Sequence, residues 1–293
     1  MKRQINTYRA QAMGLIVGTA LTLMASAHAA VAKDDAVAAQ VPENLKQSGT
    51  LRIAMPDIGK PLAYKDGQAL KGMDVELAQA VAEVMGLKPQ ISLIPFSAAL
   101  TGLQADKYDI SYGEFYVTTD RLKVADFVTH WQDYSSFLVV KTKGYTPTDL
   151  KAICGRKVGA MAGSAELATL NTAAAQCESK PAVSAFPSVS NAVLALNSGR
   201  VDGVLINRGG AQGAIVLDAG LDASGEIGGG PTATAVARRA GSEQLLTALK
   251  MAYDHLIATG DYAKILANND TTYGAAQSAV IYKEGSEPPK YGF

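Results

Sequence analysis

The chain predicts an α/β architecture, with parallel sheets covered by helices, on three observations. Short strand-like runs alternate with helix-length segments along most of the 293 residues. Glycine or proline punctuates many of the junctions between them. Residues 201–206 read as an inner strand of a parallel sheet, buried on both faces.

Taken in order, residues 51–55 (Leu-Arg-Ile-Ala-Met) form the first strand. Residues 74–85 read as a helix, with Leu77, Val81, Val84 and Met85 on one face and Gly86 as its stop. A strand at 91–95, a helix at 98–104 and a strand at 108–112 follow. A second alternating set begins after a strand at 136–140. It holds strand 157–161, helix 165–175, strand 182–186 and helix 190–197, which Gly199 stops. Gly228-Gly229-Gly230-Pro231 interrupts the pattern, and a strand resumes at 233–237. A long helix at 242–258 and a shorter one at 261–267 close the series. Residues 30–44 are Ala-rich without clear periodicity and are expected to be mobile. From Thr271 onward the tail is expected to be extended and weakly determined by its sequence.

The N-terminus carries an export signal. Lys2, Arg3 and Arg9 precede an apolar run over residues 12–25, which ends in Ala25-Ser26-Ala27-His28-Ala29. This is the pattern of a signal peptide over residues 1–29, cut near Ala29. The run is shorter than the roughly 20 apolar residues of a spanning helix, and no cysteine stands at the cut to carry a lipid. Cleavage removes three of 27 basic side chains and none of 27 acidic ones, leaving 24 against 27, a formal charge of −3. That balance disfavours nucleic acid or an anionic membrane as partner. The expected location is periplasmic, without a lipid anchor. Cys154 and Cys177 fit one disulfide in an oxidising compartment, with two buried free thiols as the alternative. No metal site is expected, because there is no CxxC and His130 and His255 stand far apart without ligand spacing. No cofactor motif is present: the Gly228–Gly230 run lacks both the Lys-Ser/Thr and the GxGxxG context of a phosphate loop.

From about Gly49 to Asn269 several separated motifs occur in a fixed order. They are Pro61-Leu62-Ala63-Tyr64 with Asp66-Gly67, Gly72-Met73-Asp74-Val75-Glu76-Leu77, Leu103 to Ile110 with Asp109, and Thr118-Thr119-Asp120-Arg121 with Asp126-Phe127. Asp149-Leu150, Gly155-Arg156-Lys157-Val158-Gly159, Gly163-Ser164, Gly199-Arg200-Val201-Asp202-Gly203 and Gly260-Asp261-Tyr262-Ala263-Lys264-Ile265-Leu266 continue the set. In this order the chain resembles the family 3 extracellular solute-binding proteins, the polar amino-acid receptors of ABC importers. The resemblance implies a periplasmic-binding-protein type II fold, two α/β lobes joined by two hinge strands with the ligand cleft between them. The implied boundaries are a mobile leader at 30–48, lobe 1 at 49–134 and 235–275, lobe 2 at 135–234, and a tail at 276–293. The crossings fall near 132–137 and 230–235, and the glycine run fits a flexible second crossing. A branch of the family carries cysteines where Cys154 and Cys177 fall, which supports the disulfide. The implied partners are a small ligand with a carboxylate and an inner-membrane ABC permease, the chain itself being a monomer.

The resemblance also implies a ligand site. Arg121 stands where the family's arginine takes the ligand's α-carboxylate, and its planar donor fork matches a carboxylate in two bonds. Taken alone, an arginine at a helix start is more often a solvated surface charge. Phe96 occupies the position that packs on the ligand, although a single phenylalanine after a strand is equally well ordinary core. Gly113, Glu114 and Tyr116 match a stretch that offers small residues and backbone groups, but here Glu114 and Tyr116 are large. They narrow the cleft, or Glu114 receives a ligand cation, or Glu114 pairs with Arg121 until the ligand arrives. Ser164 and Ala165 fall at a helix N-terminus that can donate N–H groups to the same carboxylate, while Ser164 also suits a plain N-cap.

Three departures affect the amine half. Asn207 replaces the usual Asp and keeps an acceptor without the charge; Gly59 replaces an aromatic, and Pro56 a frequent Asp. The expected ligand is therefore a carboxylate such as an N-substituted amino acid, an opine-like conjugate or an organic acid, or else an ordinary amino acid whose ammonium is read by Glu114. Two other function classes share the fold. A dehydratase-like periplasmic enzyme needs an acid or base in the cleft, and Glu114 is the only candidate. A receptor for a membrane signalling partner needs a separate protein. The chain is expected to be a binding protein, not an enzyme.

Overall fold

The computed structural model describes residues 31–293, so the signal-peptide reading of residues 1–29 lies outside the described residues. Two short helices come first, α1 (Asp35–Gln40) and α2 (Glu43–Ser48). This corrects the expectation of a mobile leader. Asp34 caps α1 by accepting from the Val37 N–H at 2.8 Å, and Gly49 ends α2 in the left-handed region at φ 64°. Val37, Val41 and Leu45, spaced four apart, are all buried. The same spacing is present in the sequence, but Ala36, Ala38 and Ala39 flatten its contrast.

The first lobe then builds on β1 (Thr50–Pro56), the hairpin β2 (Tyr64–Asp66) and β3 (Ala69–Lys71), α3 (Met73–Val84), β4 (Lys88–Ile94), α4 (Ala99–Gln104) and β5 (Ile110–Tyr116). Strand β1 pairs in parallel with both β4 and β5. A single turn, α5 (Thr119–Leu122), leads into β6 (Asp126–Val140), 15 residues long.

The second lobe holds β7 (Lys157–Met161), α6 (Ala165–Ala175), β8 (Ala182–Phe186), α7 (Val189–Asn197), β9 (Gly203–Asn207) and α8 (Arg208–Leu217). Parallel β8, β7 and β9 lie side by side, as expected. The 16-residue β10 (Leu221–Val236) then returns antiparallel to β6. Helices α9 (Ser242–Thr259) and α10 (Asp261–Asn268) complete the first lobe's cover.

One sheet runs through the molecule in the order β4-β1-β5-β10-β6-β9-β7-β8. Strands β6 and β10 pair with each other from Val236↔Asp126 to Leu221↔Val140 and carry the chain between the lobes. The first lobe packs around one apolar cluster that includes Trp131, Tyr112 and Tyr253. The second has two smaller clusters, one centred on Phe186, Leu196 and Ile206 and the other on Phe137, Val158 and Leu205. Cys154 and Cys177 are joined as a disulfide.

Two further expectations change. The Gly228–Pro231 run lies inside β10 and does not interrupt it, with register shifts at Ser224/Ile227 and Ile227/Gly229 absorbing the irregularity. The tail is anchored: β11 (Ile281–Tyr282) pairs with β6 at Val128 and Phe127. Farther on, the Tyr291 hydroxyl accepts from the Val117 N–H at 2.8 Å and donates to the Pro231 carbonyl at 2.9 Å. Among the described residues no helix is long and apolar enough to cross a membrane.

Candidate ligand-binding site

The ends of β5, α5, β7, α6, β9 and α8 converge on a cavity between the lobes. Phe96, Gly113, Glu114, Tyr116, Arg121, Ser164, Ala165 and Asn207 all border it. The structure thus brings together the eight residues singled out from the sequence. Ile58, Met161, Glu166, Val189 and Ile206 also line it and were not foreseen.

Arg121 reaches this cavity because Thr118 caps α5, accepting the Arg121 backbone N–H at 3.3 Å. Its guanidinium donates to the Tyr116 carbonyl at 2.8 Å on one wall and to the Gly163 carbonyl at 3.1 Å on the other. It lies over the rings of Phe115 and Phe96, at 5.3 and 5.7 Å from their centres. Burial pulls its pKa below the ordinary arginine value, and the Glu166 carboxylate opposes that shift. Both side-chain hydrogen bonds go to neutral carbonyls, which leaves guanidinium donors for an anion.

The opposite wall is formed by two helix starts. Ser164 caps α6 by accepting the Leu167 N–H at 3.1 Å, and Asn207 caps α8 by accepting the Gly210 N–H at 3.2 Å. The Asn207 side-chain oxygen is thus engaged in its own helix. Glu166, in the first turn of α6, is 8% exposed and accepts from the Ser135 hydroxyl at 2.8 Å. It is the carboxylate on this wall. Its sequence signal was weak, since an acid in the first turn of a helix is ordinary N-terminal chemistry.

Glu114 lines the cavity, but its carboxylate is held by partners other than Arg121. One carboxylate oxygen meets His130 Nε2 at 3.0 Å, and the other is bonded to the Thr232 hydroxyl. The carboxylate is turned away from Arg121, so the expected Glu114–Arg121 pair is not formed. The residue's φ of 52° is in the left-handed region, next to Gly113 at 131°. Tyr116 is buried, its hydroxyl pKa raised well above 10 by burial and then by the Glu166 and Asp133 carboxylates. It packs edge-on against Tyr291 and Phe293 of the tail.

Gly59 explains the missing aromatic. A Cβ there would stand 3.3 Å from Val189 of the other lobe, so Val189 occupies the space that a ring would need. The lobes also touch at Gly213, where a Cβ would fall 2.1 Å from the Lys60 carbonyl.

Comparison with known proteins agrees with this geometry. The profile of the bacterial extracellular solute-binding proteins, family 3, matches residues 51–269. The arginine-binding protein ArgT of Corynebacterium glutamicum is 27% identical over 263 residues, covering 85% of this chain and 83% of that protein. The arginine-binding extracellular protein ArtP of Bacillus subtilis is 30% identical over a shorter stretch, 36% of this chain and 41% of that one. An ancestral arginine-binding protein bound to arginine superposes with a TM-score of 0.70 at 29% identity, covering 75% of this chain and 98% of the other. The type II periplasmic-binding-protein fold follows.

Proposed function

We propose that this chain, which belongs to the bacterial extracellular solute-binding proteins of family 3, captures an amino acid for an ABC importer. The single observation that carries the reading is Arg121, half-buried and donating among the described residues to two carbonyls, which borders the same cavity as the buried Glu166 carboxylate. A cation on one wall and an anion on the other match a dipolar ligand, its carboxylate on Arg121 and its ammonium on Glu166. Phe96 and Val189 supply the apolar contact.

This reading moves the amine half away from Glu114 and Asn207, whose side chains are engaged elsewhere. It also favours an ordinary amino acid over an organic acid, because Glu166 would repel a second carboxylate. Relatives named for arginine support the amino-acid class. They are binding proteins, which supports a role without catalysis. Hinge closure is the proposed mode of capture: a ligand touching both walls stabilises the form in which the lobes meet.

Calorimetry against arginine, lysine, histidine, glutamine, N-acylated amino acids and organic acids tests it. At least one free amino acid is expected to bind, and Glu166→Gln to weaken it by about tenfold or more, the loss of one charge-assisted bond. Tighter binding of an N-acylated or organic acid, unchanged or improved by Glu166→Gln, would reject the amino-acid assignment.

A further inference from the structure

Beneath the cleft the fold gathers three groups from distant parts of the chain: Asp74 in the first turn of α3, Glu114 on β5 and His130 on β6. One donor atom from each lies within 4.8 Å of the other two. Asp74 and His130 are wholly buried, and the Glu114 side chain is only 2% exposed. No N–H or hydroxyl donor meets either oxygen of Asp74, whose carboxyl lies within hydrogen-bond reach of Glu114.

We propose that Asp74, Glu114 and His130 form a binding site for one divalent transition-metal ion. Two carboxylates and an imidazole are a ligand set that suits Zn²⁺ and its neighbours, with a coordination position left for water or the Thr232 hydroxyl. A single proton shared between Asp74 and Glu114 would satisfy one Asp74 oxygen and leave the other orphaned. A dication takes oxygens of both as ligands.

The surroundings fit the role. His130 Nδ1 faces the Thr234 hydroxyl at 3.4 Å, and that hydroxyl meets Tyr253 at 2.7 Å, which in turn donates to Tyr112 at 2.6 Å. His130 Nε2 is directed at Glu114, and an imidazole protonated on Nδ1 toward Thr234 would offer it as a metal ligand. Glu114 also borders the ligand cavity. The inference stands apart from the amino-acid reading, since neither Arg121 nor Glu166 takes part.

The test uses the mature protein, stripped with EDTA and titrated with Zn²⁺ alone. Saturable uptake of one ion per chain is expected, with a rise in Tm of about 5 °C or more at high occupancy. Asp74→Asn and His130→Gln should each weaken uptake by about 100-fold, while His255→Ala at the surface leaves it unchanged. Circular dichroism checks that the variants fold. X-ray absorption on the wild-type protein decides without them, and oxygen and nitrogen ligands including one imidazole are expected. Absence of 1:1 uptake, uptake lost in His255→Ala, or a zinc spectrum without imidazole would each overturn the proposal. Amino-acid binding measured on the same stripped sample keeps the two readings separate.

Discussion

Replacing Arg121 by Ala is expected to weaken capture of a carboxylate ligand by about two orders of magnitude. Hydrogen bonds to a charged group are worth roughly 1.5–3 kcal/mol each, and a fork that makes two loses at least one in full. The ligand would also leave its carboxylate in a buried cavity with no cation to meet it. Arg121→Lys should fall between, because an ammonium keeps the charge and loses the planar fork. Calorimetry gives the affinity, and a thermal melt of the ligand-free variants separates binding from stability. The Tyr116 and Gly163 carbonyls lose a donor in Arg121→Ala, so a small fall in Tm is expected alongside the large fall in affinity.

Removing the disulfide is the second large effect. Cys154 and Cys177 close a loop with a sequence separation of 23, for which the chain-entropy account gives about 3 kcal/mol. Cys154 follows the single turn Leu150–Ile153, and Cys177 lies just beyond the end of α6. The bond therefore fastens the C-terminal end of the helix whose other end carries Ser164 and Glu166. Cys154→Ser with Cys177→Ser is expected to lower Tm by roughly 6–12 °C, and reduction of the wild type should do the same. A change below about 1 °C would show that packing of Cys177, Leu170 and Ile153 holds the helix without the bond.

Much of the fold was legible because local signals agreed with tertiary structure. The second-lobe elements at 157–161, 165–175 and 182–186 have the predicted bounds, since Gly155, Gly163 and Ser164 mark their ends as well as any apolar pattern does. The crossing strands were underread for a physical reason. Strand β6 buries Thr129, His130, Asp133, Ser135 and Ser136, so it shows no clean alternation. In β10 the glycines resemble a break, but a Cβ at Gly228 would strike Phe293 and one at Gly230 would come within 3.1 Å of Tyr291. They make room for a tail some 60 residues later. No local pattern carries that information.

The site divides in the same way. Arg121 and the helix starts were readable from motif order, and the cavity gathers them. Glu166 was hidden inside an ordinary helix start. The direction of Glu114 depends on His130 and Thr232, 16 and 118 residues away. Sequence could place Glu114 in the right neighbourhood without saying which way its carboxylate turns.

The central claim is that Arg121 holds a ligand carboxylate, and it can be tested by chemistry on the ligand instead of the protein. The tightest-binding amino acid from the panel is compared by calorimetry with its own carboxamide, which keeps the shape and the ammonium but removes the negative charge. The account predicts that the amide binds about 100-fold more weakly to the wild type and that Arg121→Ala binds acid and amide alike. An amide that binds the wild-type protein as tightly as the acid would contradict it.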